Sequence, residues 1–153
     1  MNQNEGGSRS RDMEMGLAQM EQLKAQVDNL SMQRDSLRSV LADYDRSLEV
    51  LEGMKDGVKG EILIPVGGQV FIRASITDNE KCLVDQGVGV MMDRDIPSAI
   101  DQIRERKDRI VQGIAGLERS IQDLMSRYRD ISERTQQLYN DQMQDSSGPE
   151  NTF

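Results

Sequence analysis

Two runs of seven-residue periodicity, separated by a short stretch that lacks it, are the feature that most constrains how this chain can fold. Apolar residues in each run recur at alternating spacings of three and four, the pattern of a coiled-coil seam. The seam positions of the first run are Met13, Gly16, Met20, Leu23, Val27, Leu30, Arg34, Leu37, Leu41, Tyr44, Leu48 and Leu51. Those of the second run are Ile96, Ile100, Ile103, Lys107, Ile110, Ile114, Leu117, Ile121, Leu124, Tyr128, Ile131, Thr135 and Leu138. We therefore predict two long helices.

The two helices are expected to fold back on each other as a long antiparallel coiled coil, because they are of similar length and a compact stretch joins them. One register pairs Met13 with Leu138. A second register, shifted by one heptad, places Gly16 opposite Tyr128 and fits the pattern nearly as well. Either register brings the two chain ends together, far from the connecting stretch.

The connecting stretch, residues 61–92, is rich in glycine and β-branched residues and predicts four short strands in two hairpins. The strand segments are Ile62–Ile64, Val70–Ile76, Cys82–Val84 and Val88–Met92. Thr77–Glu80 is typical of a turn, since Asp and Asn side chains bond their own backbone. The expected fold class is thus α+β but mostly α.

Four short strands bury too little apolar area to be stable alone, and their edges expose unpaired backbone groups. Pairing with the same module of other chains removes both problems, so we expect the hairpins to act as an assembly module. The expected assembly interface consists of Ile62, Ile64, Val70, Phe71, Ile72, Val84, Val88 and Val90.

The composition shift along the chain predicts five segments. These are a disordered leader at 1–12, a coiled-coil helix at 13–55, the hairpins at 61–92, a second coiled-coil helix at 94–140, and a disordered tail at 141–153. Asp93 and Asp95 precede Pro97, and carboxylates followed by proline favour a helix start.

Charge and hydropathy exclude several classes of protein. A net charge of −8 disfavours nucleic-acid binding, which needs clustered Lys and Arg. No apolar run approaches the ~20 residues of a membrane helix. Because the N-terminal segment lacks an apolar signal core and the chain has a single cysteine, we expect a reducing, cytoplasmic location.

Residues that carry chemistry are scarce. The chain contains no histidine, which excludes His-dependent triads and His-based zinc sites. Cys82 lies in an apolar strand and is interpreted as a buried thiol. Gly67-Gly68 and Gly87-Val88-Gly89 lack the spacing of a phosphate-binding loop. We therefore expect no enzymatic activity, no cofactor and no metal.

Methionines and other apolar residues gather near both chain ends, where helices fray and seam residues become accessible. Methionine is flexible and polarisable, so such a surface accepts many apolar partners. The candidate residues for holding an unfolded protein at these ends are Met13, Met15, Leu17, Met20, Ile131, Leu138, Tyr139 and Met143.

The connecting stretch resembles that of the α-class subunits of prefoldin, of the archaeal type. The likeness lies in Ile62–Gly68, Val70–Ala74 and Val84–Val90, where a strand ending in proline, a small-residue turn and a Gly-x-Gly hairpin follow in order. It extends over roughly 13–140, and two hairpins instead of one match the α class.

The resemblance implies a hexamer of two α and four β subunits, with a β-barrel body and six coiled coils. It also implies binding of non-native proteins, here called clients, at the coiled-coil tips. The clients would then be transferred, without ATP, to a group II chaperonin. A structural coiled-coil tether or adaptor without chaperone activity is the alternative, although a tether has no need of two hairpins between its helices.

Overall fold

The computed structural model describes residues 3–57 and 60–148. The elements, in chain order, are helix α1 (Gln3–Lys55), strands β1 (Glu61–Gly67), β2 (Val70–Ser75), β3 (Lys81–Asp85) and β4 (Met91–Asp95), and helix α2 (Ile96–Ser146). They form two compact units: Met1–Ser36 with Ile114–Phe153, here called the coiled-coil unit, and Leu37–Gly113, here called the hairpin unit. Two long helices with two small antiparallel hairpins confirm the predicted fold class.

In the coiled-coil unit, α1 and α2 pack antiparallel along the predicted seam. Every seam residue of this unit is buried or half-buried, and Gly16 and Ile121 are among the buried ones. Gly16 lies against Thr135, whose Cβ is 3.6 Å from the position that a Cβ on Gly16 would occupy. This neighbour belongs to the register that pairs Met13 with Leu138, so the alternative register with Gly16 opposite Tyr128 is wrong.

In the hairpin unit, the helices enclose a small core of Leu48, Ile96, Ile100 and Ile103, each at most 8% exposed. Partly buried side chains pack against this core, namely Tyr44, Leu51, Met54 and Cys82. Each fully buried Leu or Ile contributes roughly 1.5–3 kcal/mol relative to exposure. Burial of this cluster therefore stabilises the unit.

Two ion pairs flank this core and add specificity more than stability. Lys107 Nζ lies 2.6 Å from Asp45, and Arg104 lies 2.7 Å from Glu52. Both pairs are largely exposed, and such pairs contribute about 0–1 kcal/mol. Their positions fix the antiparallel pairing of α1 and α2 within the hairpin unit.

The first hairpin, β1 with β2, closes through a two-residue turn at Gly68 and Gln69. Both residues have positive φ, at 57° and 61°, which is the geometry that matches the right-handed twist of hairpin strands. The ladder register shifts between Pro65 and Gly67, as a β-bulge does. Proline thus lies where the ladder is already irregular, consistent with its missing N–H.

The second hairpin, β3 with β4, differs from the prediction in where its last strand begins. Val88 and Val90 are not strand residues, because the backbone has positive φ at Gly87, Val88 and Gly89. A loop from Gln86 to Val90 takes their place, closed by the Gln86 N–H that donates to the Val90 carbonyl at 2.8 Å. Strand β4 begins at Met91 and continues to the start of α2.

Helix α2 begins at Ile96, two residues later than predicted, and Asp95 caps it. The Ser98 N–H donates to the Asp95 carboxylate at 3.2 Å, which satisfies one of the free donors of the first turn. Hydrogen bonds from the Ser98 hydroxyl and backbone lower the pKa of Asp95 below its ordinary value. Asp93, the other expected helix-start residue, belongs to β4.

The helices also extend beyond the predicted limits at both ends. The sequence predicts disorder at 1–12 and 141–153, whereas α1 begins at Gln3 and α2 continues to Ser146. Positions 1–2 and 149–153 of those segments lie outside the described residues. An ion pair between Arg9 and Asp145 continues the helix pairing past the last apolar seam layer. The polar residues of these terminal segments provide no apolar core, but they do not prevent helix formation.

Candidate interaction surfaces

The first hairpin carries exposed apolar side chains on both of its faces. Cross-strand pairing places Ile64 opposite Ile72, and both side chains are about half exposed. Phe71, on the other face, is 57% exposed. Exposed apolar patches of this kind mark interaction sites in soluble proteins. Of the predicted interface residues in this hairpin, Ile64, Val70, Phe71 and Ile72 are exposed and Ile62 is half-buried.

The second hairpin packs against the helices of its own unit through one face. Three hydrogen bonds attach it: the Ile96 N–H donates to the Glu80 carbonyl at 3.0 Å, Arg106 to the Asp85 carbonyl at 2.9 Å, and the Gln102 amide to Gln86 at 2.9 Å.

Burial of this face corrects one predicted site residue. Val84 is only 7% exposed, so it belongs to the interior of the hairpin unit and is not available to a partner. On the outer face, Leu83 is 61% exposed and lies among charged side chains, since Lys81 and Asp85 of β3 and Asp93 of β4 share that face.

Sequence reasoning missed several exposed apolar residues of the hairpins, namely Leu63, Val66, Leu83, Met91 and Met92. The signal for Leu63 was available in the alternation of β1, where it faces away from Ile62 and Ile64. The sequence predicts a strand at Met91 and Met92 but not their exposure, because it predicts that the strand begins at Val88 and not at Met91. The apolar surface is therefore wider than the predicted set.

Val88 combines full exposure with an unusual backbone. Its φ is 48°, a conformation that is costly for a β-branched residue, and its side chain is as exposed as in an extended peptide. The Asp85 carboxylate accepts a hydrogen bond from the Gly87 N–H at 2.7 Å and orders the loop. Strained residues of this kind persist where surrounding structure holds them, and they concentrate at functional sites.

The predicted client-binding residues lie in the coiled-coil unit in two groups. Met13, Met20, Ile131 and Leu138 are seam residues and are half-buried. Met15, Leu17, Tyr139 and Met143 lie off the seam and are 60%, 57%, 46% and 54% exposed, respectively. Met125, at 52% exposure, adds a further apolar side chain that the predicted set lacked.

Heptad position places the exposed members on two sides of the seam. Counted from the seam residues Met13 and Gly16, Met15 lies on one side of α1 and Leu17 on the other. Met125 and Tyr139 are fourteen residues apart, which is two heptads, so they occupy the same heptad position and lie on the same side of α2. Apolar surface is thus available on both flanks of the helix pair.

Reactive groups are sparse in the part of the chain that the structure describes. Burial, assisted by the nearby Asp95 and Asp93 carboxylates, raises the pKa of the Cys82 thiol, which lowers its reactivity at neutral pH. A cleft of about 610 Å³ lies beside it, and Arg46 and Arg106 at its rim already contact Asp43 and the Asp85 carbonyl.

Residues 3–57 and 60–148 contain neither a cluster of metal ligands nor a membrane-spanning helix. No group of three or more His, Cys, Asp or Glu side chains in these ranges is arranged to hold a metal ion. Neither helix contains a stretch that is apolar enough, over a sufficient length, to cross a bilayer.

Comparison with known proteins points in the same direction. The family model described as prefoldin subunit matches residues 23–141. The prefoldin subunit alpha of Nitrosopumilus maritimus is 25% identical over 121 residues, covering 79% of each chain. That of Archaeoglobus fulgidus is 24% identical over 127 residues, covering 82% of this chain and 93% of its own. That of Methanopyrus kandleri is 36% identical over 76 residues, 48% of each chain.

A solved structure is also similar, the filamentous PFD from Methanocaldococcus jannaschii determined by cryo-EM. Its TM-score is 0.48 at 21% sequence identity, with 82% of this chain and 98% of that chain covered. The family model accounts for most of the chain, including both hairpins and the greater part of each helix. The chain therefore belongs to the prefoldin family of chaperone subunits, in its α class.

Proposed function

We propose that this subunit acts in an ATP-independent holdase, which binds non-native client proteins and delivers them to a group II chaperonin in the cytoplasm. The observation that carries the proposal is the group of exposed apolar side chains in the coiled-coil unit, Met15, Leu17, Tyr139 and Met143. These four residues lie off the seam, so packing between α1 and α2 does not account for them. Flexible apolar side chains suit clients of varied sequence.

Membership of the prefoldin family supports assembly of this chain with other prefoldin subunits. We propose that the partners are β-class subunits, four for every two α chains, and that the hairpins form a β-barrel with theirs. The exposed apolar residues of both hairpins support this role, as do the open strand edges of two separate two-stranded sheets. Val88 and Val90, in the loop of the second hairpin, extend the proposed interface.

A combined variant tests the client site. Replacing Met15, Leu17, Tyr139 and Met143 with Gln removes the exposed apolar surface without changing a seam residue. We expect assembly to be retained and suppression of aggregation of chemically denatured citrate synthase to fall several-fold. Single replacements should have mild effects, because binding spread over several helix ends is multivalent.

A matched control carries Gln at three exposed apolar positions elsewhere on the helices, Met32, Val40 and Val111. This control should suppress aggregation as the unmodified protein does. Full suppression by the combined variant would refute the client site. A complex that never suppresses aggregation, with or without the changes, would favour the structural tether. Addition of ATP or removal of magnesium should leave suppression unchanged.

A further inference from the structure

The second hairpin packs against the helices of its own unit through one face, here called the inner face, which is covered on its β3 side and open on its β4 side. Cross-strand pairing places Val84 of β3 opposite Met92 of β4 on this face. Val84 is 7% exposed, whereas Met92 is 44% exposed. Arg94 lies opposite Cys82 and, because side chains alternate along a strand, on the same face as Met92. A methionine and an arginine thus lie side by side along the open part of the inner face.

Arg94 combines partial burial with the lack of a partner. Its Nε is the one buried side-chain nitrogen or oxygen within residues 3–57 and 60–148 that has no hydrogen bond. The other half-buried basic side chains of these ranges all have acceptors. They are Arg9, Arg34, Arg106 and Lys107, which contact Asp145, Asp35, the Asp85 carbonyl and Asp45, respectively. Among the described residues, the guanidinium of Arg94 forms neither an ion pair nor a hydrogen bond.

The carboxylates next to Arg94 in sequence do not supply the missing acceptor. Asp93 and Asp95 lie on the opposite face of β4, and Asp95 accepts a hydrogen bond from the Ser98 N–H at the start of α2. Hydrogen bonds from Ser98 are the main cause of the lowered pKa of Asp95, and the charge of Arg94 adds to it without contact. A buried donor that lacks an acceptor costs folding free energy. We therefore expect the acceptor to come from outside the chain.

We propose that Arg94 pairs with a carboxylate of a β-class partner subunit, which also covers Met92. A guanidinium presents a planar fork of N–H groups that matches the two oxygens of a carboxylate, and the Nε–H is one member of that fork. A partner that covers Met92 excludes water from the pair and so strengthens the attraction between its charges. The inference rests on the proposed assembly with β-class subunits and adds the chemical group that the partner contributes.

A second copy of this chain is a poor source of that carboxylate. The hairpin segment, residues 61–95, contains six acidic and only three basic side chains. Two such segments in contact place like charges next to each other, which opposes association. A subunit of different sequence avoids this repulsion and needs only one suitably placed Asp or Glu.

Replacing Arg94 with Met tests the pair, because Met keeps much of the apolar stem and removes every donor. The test uses the full-length chain and its β-class partner subunit. We expect the Kd of the complex to rise roughly tenfold or more. The urea midpoint of the unassembled chain should stay the same or rise, since a buried unpaired donor is gone. Lys81→Met removes an exposed cation from the outer face of the same hairpin; it is the matched control and should change the Kd less than about twofold.

Opposite effects on binding and on stability distinguish this role from a structural one. If Arg94 stabilises only its own chain, Arg94→Met lowers the urea midpoint and leaves the Kd unchanged, and this result would overturn the proposal. Salt gives a second readout, because exposed and partly buried ion pairs are screened. Raising sodium chloride from ~0.1 M to ~0.5 M should weaken the unmodified complex more than the Arg94→Met complex. Equal salt dependence of the two complexes would also overturn the proposal.

Chemical crosslinking identifies the acceptor. In the Arg94→Lys variant, a water-soluble carbodiimide joins the new amine to a carboxylate in contact with it; an amide bond forms, and the carbodiimide takes up the water that is released. Peptide mass spectrometry should place this bond between position 94 and an Asp or Glu of the β-class subunit. A bond to a carboxylate of the same chain or of a second copy, or no bond at all, would show that the inference is wrong. Failure of the unmodified chain to bind the β-class subunit would instead refute the proposed assembly itself.

Discussion

Thr135 of α2 fills the space that a side chain on Gly16 of α1 would need. A Cβ on Gly16 would overlap the Thr135 hydroxyl, while the Thr135 methyl would lie 3.7 Å away at ordinary contact distance. The helices therefore approach closely in this layer because Gly16 has no side chain and because the Thr135 side chain fits the space left there. The pair also establishes which of two possible registers the coiled-coil unit adopts.

A double-mutant cycle tests this pair. Gly16→Ala adds about 1 kcal/mol of helix propensity but forces the hydroxyl to move. In a Thr135→Ala background the overlap is gone, so the same change should be stabilising by the full ~1 kcal/mol. We expect a coupling energy of roughly 0.5–1.5 kcal/mol between the two sites, measured by urea unfolding. Independent, additive effects would contradict the packing described here. Thr135→Ser, which keeps the hydroxyl, serves as the control.

Charged substitutions in the two hairpins should separate assembly from folding. Ile72 is 48% exposed, so Ile72→Asp should change the stability of the chain by no more than about 0.5 kcal/mol while it prevents assembly. Val84 is 7% exposed, and Val84→Asp buries a charge that costs ~3 kcal/mol or more. Urea unfolding and native mass spectrometry distinguish the two outcomes. Normal assembly of the Ile72→Asp chain would show that the first hairpin is not the interface.

Val88 offers a test of backbone strain. Asparagine tolerates a positive φ better than a β-branched residue does, so Val88→Asn should stabilise the second hairpin by about 1 kcal/mol. Hydrogen exchange of the Val90 amide, which donates to the Gly87 carbonyl at 3.0 Å, should slow accordingly. The same change should weaken assembly if the valine side chain contacts a partner. Faster exchange at Val90 would mean that the loop does not store strain.

The Asp95 cap of α2 should stabilise the folded chain at neutral pH and lose that effect in acid. Hydrogen bonds from Ser98 lower the pKa of Asp95 in the folded chain below the unfolded value of 3.8. The stabilisation from this shift is therefore present above pH ~4 and is lost as the pH falls through the folded pKa. Asp95→Asn keeps a capping side chain without the charge, so the stability difference from the unmodified chain should shrink below pH ~4.

The urea midpoint, measured between pH 6 and pH 2.5, checks this prediction. Asp93→Asn, a change of the same kind two residues earlier in β4, is the matched control for the general effect of removing a carboxylate. A difference between the Asp95→Asn and unmodified chains that stays constant down to pH 2.5 would rule out the cap as the source.

The seam was predictable from sequence because a period of seven is a local pattern that continues through many turns. Leu48 and Ile103 are buried where that period places them. The loop at Val88 was not predictable from sequence, since β-branched residues favour strands. Only the neighbouring glycines favour the positive φ that the loop requires.

Burial of Val84 depends on how the second hairpin packs against α1 and α2, a relationship between residues distant in sequence. No local pattern reports it.

The apolar hairpin surface has a consequence for how the subunit must be made. A newly synthesised chain that has not met its partners exposes Leu63, Phe71 and Leu83, the kind of surface by which quality-control proteases and chaperones recognise damaged proteins. We therefore expect an orphan copy to be a substrate for that machinery. Its lifetime should depend on the supply of partner subunits, which makes balanced synthesis, and not the intrinsic stability of the fold, the factor that sets its abundance.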